Sequence, residues 1–467
     1  MSTAASSFFR EMWASAGTQN SSSPDIDFVG DGALESKYAV TDFASAAIGV
    51  AAASIAELVG SVSSRSPAVT VDRRLSSFWF GWSLHPIGWQ MPAAWDPIAG
   101  DYATNDGWIR LHTNAPHHRK AAEQILGAHS DRSEMARTVS TWSKSDLESA
   151  IINAGGCAAE MRSVTEWLEH PQGIAVAAEP LVHVNTTESE AQLSRIPTPT
   201  RPLSGLRVLD LTRVLAGPIA TRFLAGYGAD VLRIDPPTWE EPGVVPEVTL
   251  GKRCTRLYLR DPVDRKQFET LLSQADILIH GYRPGALDDL GYGVTKRRAL
   301  SPGLIDVALD AYGWSGPWAS RRGFDSLVQM SAGIAEAGMN WRKGDKPVPL
   351  PVQALDHATG YLMAATAIRA VTRRLSEAIG IEAHLSLARM SSLLIQAGGL
   401  GCGLPLEPET SDDLVPGIEN TEWGEARRLK PPARIVGIEM QWTHPASSLG
   451  SALPMWEENP DYARLKM

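Results

Sequence analysis

The sequence predicts an α/β protein, with a Rossmann-like parallel sheet in a large domain and a smaller α+β domain beside it. Three observations predict it. The mostly apolar run 206–211 suits a strand buried on both faces, Pro218 suits the first turn of a helix, and residues 231–234 supply the next strand. Folds of this kind bind ligands at the carboxyl ends of their strands. The turn at that end, Thr212-Arg213-Val214-Leu215-Ala216-Gly217-Pro218, has neither the GxGxxG of a dinucleotide binder nor the lysine of a P-loop. A different ligand is implied.

Composition bounds the rest. A chain of 467 residues with 43% hydrophobic side chains can fill two or three cores. Its net charge of -10 argues against nucleic acid as a partner, so any anionic ligand must be held by local Arg and Lys clusters and helix N-termini. Cys157, Cys254 and Cys402 are widely spaced and lack the pairing of metal ligands. They read as reduced thiols of a cytoplasmic protein without a metal centre.

In chain order, residues 1–70 read as a helical segment. Their start carries one early positive charge and no continuous apolar core, so neither a signal peptide nor a membrane anchor is expected. The apolar run 46–59, broken by Gly49, Ser54 and Glu57, is too short to span a bilayer and reads as a packed, Ala-rich helix. Residues 71–182, with their aromatic-rich stretch 78–95, form the small domain. Residues 183–205, rich in Thr, Ser and Pro, read as a linker. The large domain follows at 206–400, and 401–467 is a tail. The 15 tryptophans read mainly as core.

Several motifs then occur in a telling order. VLDLTRVLAGP and GADVLRID are followed by GKR at 251–253, RPGALDDLG at 283–291, AYGWSGPW at 311–318 and LDHATGY at 355–361. The chain thereby resembles the class III CoA-transferases of the CaiB/BaiF type. The resemblance implies transfer of coenzyme A between carboxylic acids, with acyl-CoA and a free acid as partners, CoA as substrate and no tightly bound cofactor. It implies Asp356 as covalent nucleophile, Arg213, Val214, Leu215 and Ala216 as the loop holding the adenine and ribose end of CoA, and Arg253 as a phosphate or pantetheine contact. Gly285 would fix the turn facing the cofactor. The family's interlocked assemblies imply a homodimer.

Residues 101–127 resemble the family's small domain, which in most relatives follows the nucleotide-like domain but here precedes it. A weak internal repeat accounts for this order. The stretch from Asp42, DFASAAIGVAAASIAELVG, resembles DHATGYLMAATAIRAVTRR from Asp356, and VTVDRRLSSF from Val69 resembles HLSLARMSSL from His384. The chain reads as an internally duplicated or permuted transferase. Asp42 lacks a preceding nucleotide-like domain and is read as a helix cap or a remnant of the repeat.

Asp356 suits its role chemically. A carboxylate can attack a thioester to give a mixed anhydride, which the released thiolate converts to an aspartyl thioester. Its place before Ala358, Thr359 and Gly360 puts it at a helix start, where an anion is stabilised, although a simple N-cap is the common fate of Asp there.

Two departures bear on the ligand. Asp289 and Asp310 stand where many relatives have basic residues, and only AGGLGCG at 397–403 is a candidate for a glycine-rich cover. A 2-methylacyl-CoA racemase of the same fold is the alternative reading. It has Phe324 where its histidine should be, leaving His357 or His384 to substitute. A non-catalytic CoA-ester-binding subunit is a second alternative. A dehydrogenase would rest on Asp235 alone.

Overall fold

The computed structural model describes residues 3–17, 24, 26–63, 66–191, 193, 195–399 and 404–457. Its first half begins with β1 (Ile26–Val29), the helix Val40–Val62 and β2 (Val69–Asp72), which runs parallel to β1. The apolar run expected at 46–59 extends in both directions into a 23-residue helix. It is long and apolar enough to cross a membrane, yet 89% of its apolar window is buried inside the protein. After a short helix, Arg73–Trp79, come β3 (Leu84–Pro86), β4 (Gly100–Ala103), β5 (Trp108–Leu111) and β6 (Ala158–Glu160). Strands β4, β5 and β6 make an antiparallel sheet, packed on a separate core of Ile109, Leu111, Met135 and Leu147. This α+β unit is narrower than the expected 71–182, since Val71, Trp79 and Phe80 pack in the main core instead.

The large sheet has seven strands. They are β7 (His183–Glu188), β8 (Arg207–Leu211), β9 (Asp230–Asp235), β10 (Lys252–Arg256), β11 (Ile277–His280), β12 (Ile305–Asp310) and β13 (Ile379–Ser386), in the spatial order β10-β9-β8-β11-β12-β13-β7. All pairings are parallel except that of β7 with β13. The stretch read as a linker therefore opens with an edge strand. Its polar sequence, His183-Val184-Asn185-Thr186-Thr187-Glu188, concealed this because an edge strand exposes most of its side chains and needs little apolar character. Between β8 and β11 the strand order reverses, and such a switch point leaves a crevice at the carboxyl ends. The tail adds β14 (Glu419–Thr421), β15 (Gly424–Arg428), which pairs with β3, and β16 (Ala433–Ile435), which runs antiparallel to β2.

The repeat is visible in the backbone. Helix Val40–Val62 packs along helix Ala354–Arg374, and each carries its aspartate as third residue. The residues preceding them, Ala39 (φ -75°, ψ 60°) and Gln353 (φ -74°, ψ 63°), share one conformation. Both helices join two parallel strands, β1 to β2 and β12 to β13, and lead to helices capped by Asp72 and Ser386. Small residues make the pairing close. A side chain at Gly360 would place its Cβ within van der Waals overlap of the Ala216 carbonyl, so helix Ala354–Arg374 can lie against helix Ala216–Gly226 only with glycine there.

Candidate active site

Two cavities meet at Asp356. The larger, about 410 Å³, lies at the switch point and is lined by the turn after β8 (Thr212, Arg213, Val214, Ala216) and the turn after β11 (Gly281, Tyr282, Arg283). The small domain contributes His117 and His118, and Arg321 and Arg322 close another side. The smaller, about 300 Å³, is walled by Phe80, Trp82, Trp95, Leu215, Val352 and His357, among others. Asp356, Val214 and Phe324 border both.

The turn after β8 is held under strain. Val214 has φ 64°, a left-handed conformation that costs a β-branched residue about 1–3 kcal/mol, and such strain persists only where the surroundings impose it. Here Glu241 imposes it by accepting the Val214 N–H at 2.9 Å and the Trp239 Nε1–H at 2.9 Å. Upstream, Asp210 accepts from the Thr212 N–H at 2.9 Å, and Lys252 Nζ reaches both Asp210 Oδ2 and the Pro218 carbonyl at 2.9 Å. The Arg213 guanidinium stacks over Trp239 (4.7 Å) and Tyr282 (5.6 Å), and its Nε has no hydrogen-bond partner among the described residues. That leaves a cation oriented by two rings and open to an anion.

Asp356 lies in the first turn of its helix, not at the cap. Gln353 holds the cap position without a side-chain bond, and the Asp356 N–H donates at 2.9 Å to Asp325 Oδ2 from a neighbouring helix. Asp325 is fixed in turn by Gln329 Nε2 at 2.5 Å. Burial, and then the Asp325 charge, push the Asp356 carboxyl well above the usual carboxylate range. Burial likewise pushes Asp325 up to about 6. Asp310, which sits on the larger cavity, is also pushed well up by burial, which favours its neutral form and weakens its repulsion of an anion.

The expected site residues thus divide. Arg213, Val214, Leu215, Ala216 and Asp356 converge on the cavities, whereas Arg253 does not. It pairs with Asp230 (2.7 Å) at the beginning of β9, the end of the sheet opposite the crevice, and bonds the Met455 carbonyl at 2.5 Å. In a parallel strand consecutive side chains point to opposite faces, so of the GKR motif it is Lys252 that serves the loop. Gly285 does not line the cavity. It takes φ 81° just after Arg283, which does. Asp42 makes an ion pair with Arg73 at 2.9 Å and is not a cap. Asp235 is fully buried against Arg233 at 2.8 Å, closed to a ribose. His384 lies in a different cavity beside Trp314. The tryptophans also divide, with Trp79 in the core while Trp82 (39% exposed) and Trp95 (41%) face the smaller cavity. Of the candidate cover, 400–403 lie outside the described residues, as does Cys402.

Sequence reasoning missed His112, Asp325 and the arginines 321 and 322. Asp325 stood in the Gly323-Phe324-Asp325 stretch already compared with a racemase motif, and Phe324 now stacks face to face on His112 at 3.7 Å. His112 and the arginines carried no motif, because the fold brings them in from distant segments.

Residues 203–400 match the model of CoA-transferase family III. The chain is similar to a probable fatty acyl-CoA transferase of Mycobacterium tuberculosis, with 35% identity over 38% of this chain and 48% of that protein. It is also similar to an acyl-CoA transferase of Gibberella moniliformis, with 28% identity over 61% and 54%. The chain spans about half the length of these curated relatives. Among solved structures it is similar to a CaiB/BaiF family protein from Brucella suis, with 26% identity over 48% and 65% and a TM-score of 0.37.

Proposed function

We propose that this chain, whose residues 203–400 match CoA-transferase family III, moves coenzyme A between carboxylic acids through a covalent intermediate on Asp356. The observation that carries the reading is the position of Asp356 on the shared wall of a cation-lined cavity and an aromatic one. Acyl-CoA enters as substrate, its phosphates facing Arg213, Arg283 and Arg322 and its thioester reaching Asp356. The carboxylate attacks the thioester carbon, the C–S bond breaks, and CoA leaves as thiolate from a mixed anhydride. The thiolate then attacks the Asp356 acyl carbon, releasing the first acid and leaving an aspartyl-CoA thioester. An incoming carboxylate repeats the two steps in reverse and regenerates free Asp356.

Hydroxylamine added during turnover should intercept the acylated aspartate and leave a mass change on the peptide containing Asp356. Full exchange between acyl-CoA and free acids with no trapped adduct would count against the covalent step. Binding of CoA esters without any exchange would favour the non-catalytic subunit instead.

The reading has a pH signature. Exchange should rise as Asp356 loses its proton, and Asp325→Asn, which removes a like charge while keeping an oxygen for the Asp356 N–H, should move that acidic limb to lower pH. A limb that stays in place would separate Asp325 from the nucleophile. This chain's own small domain borders both cavities, His112 and Trp95 the smaller and His117 and His118 the larger. Dimerisation is a separate proposal, read out as mass by light scattering at micromolar concentration.

A further inference from the structure

We infer that the acyl group handled at this site is the apolar chain or ring of a monocarboxylic acid, not a dicarboxylic one. This rests on the reading of Asp356 as the point of transfer. The two cavities meeting there have opposite electrostatic character. The larger gathers Arg213, Arg283, Arg321 and Arg322, which suits phosphates. No Lys or Arg among the described residues lines the smaller, and its walls include two carboxyl groups, Asp325 and Asp356. Its other polar side chains are Asn114, Ser326, Gln353, His112 and His357. Burial lowers both histidines to about 3, so neither supplies a positive charge at neutral pH. Arg110 is not on the wall: it is paired with Asp101 at 2.7 Å and stacked over Trp95 at 4.9 Å, and its charge only offsets part of the burial effect on Asp325.

A second carboxylate on the acyl group would therefore lose its water beside two acidic groups and meet no cation on the cavity wall, a costly way to bury a charge. An apolar group meets the reverse situation. Trp82 and Trp95 are large apolar side chains left 39% and 41% exposed, both on the cavity wall, and a hydrocarbon seated against them beside the buried Phe80 would cover both. At about 30 Å³ per water-sized heavy atom, 300 Å³ accommodates roughly ten non-hydrogen atoms, the size of a medium-chain or phenyl-substituted acyl group.

The test is a panel of thioesters on the full chain, with octanoyl-CoA and phenylacetyl-CoA against succinyl-CoA and glutaryl-CoA. Exchange is followed by mass spectrometry and affinity by calorimetry. The expected kcat/KM for the apolar esters exceeds that for the dicarboxylic ones by about a hundredfold. Trp82→Ala should lower it for octanoyl-CoA, and Trp82→Arg should narrow the gap by raising succinyl-CoA. Equal or better use of succinyl-CoA by the wild type would overturn the inference while leaving CoA transfer intact. If no ester is exchanged, the transfer reading fails, and the affinities still decide this one. Succinyl-CoA binding as tightly as octanoyl-CoA would end it.

Discussion

Asp356→Asn should lower CoA exchange by several orders of magnitude while leaving the protein as stable as the wild type, or more so, at pH 7. The first half follows from removing the attacking oxygen. The second follows from linkage. A carboxyl whose folded pKa is raised binds its proton more tightly in the folded state, so its penalty is absent below its unfolded value of about 3.9 and grows as pH rises toward the folded value. An amide has no such penalty. Thermal melts across pH 4 to 8 together with a thioester exchange assay would check both halves, and a variant that melts much earlier would make Asp356 a structural residue. Asp42→Asn should keep exchange within a few-fold, since Asp42 is paired with Arg73 and borders neither cavity.

Neighbouring residues of the GKR motif should behave in opposite ways. Lys252→Ala leaves the buried Asp210 carboxylate without its cation, and breaking a buried pair in this way costs about 3–5 kcal/mol. The Thr212 end of the turn after β8 should loosen with it, so the surviving folded fraction should bind CoA esters weakly. Arg253→Ala removes a pair at the far end of the sheet and should leave CoA-ester affinity unchanged. Denaturant melts and calorimetry on the two variants separate these outcomes. A loss of affinity in Arg253→Ala would return that arginine to the site.

What the sequence made legible was whatever depends on neighbours along the chain. Residues 206–235 announced strand, turn and helix through apolar runs and Pro218, and the ordered motifs led to Asp356 and to the turn 213–216. What it withheld depends on which face a side chain takes or which distant segment arrives. Lys252 and Arg253 are adjacent in sequence and part of the same motif, but the pleat sends them to opposite faces of the sheet, one to Asp210 beneath the loop and the other to Asp230. Strand β7 hid behind a composition typical of linkers because its partner β13, nearly two hundred residues away, supplies the hydrogen bonds. Asp325 and His112 meet the nucleophile only through tertiary packing, so no local spacing could have named them together.

The two repeated units exchange their outermost strands. β7 follows the first unit and small domain yet pairs with β13 of the second, while β16 follows the second unit and pairs with β2 of the first. Each half therefore finishes the other's sheet, and the chain is fastened crosswise. Neither half can complete its backbone pairing until the other has formed, which binds the folding of the whole molecule into a shared event and slows it, since both pairings close very long loops. A nick between the halves would leave two fragments that still clasp each other by these strands, so cleavage at an exposed connection need not release the half that carries the small domain.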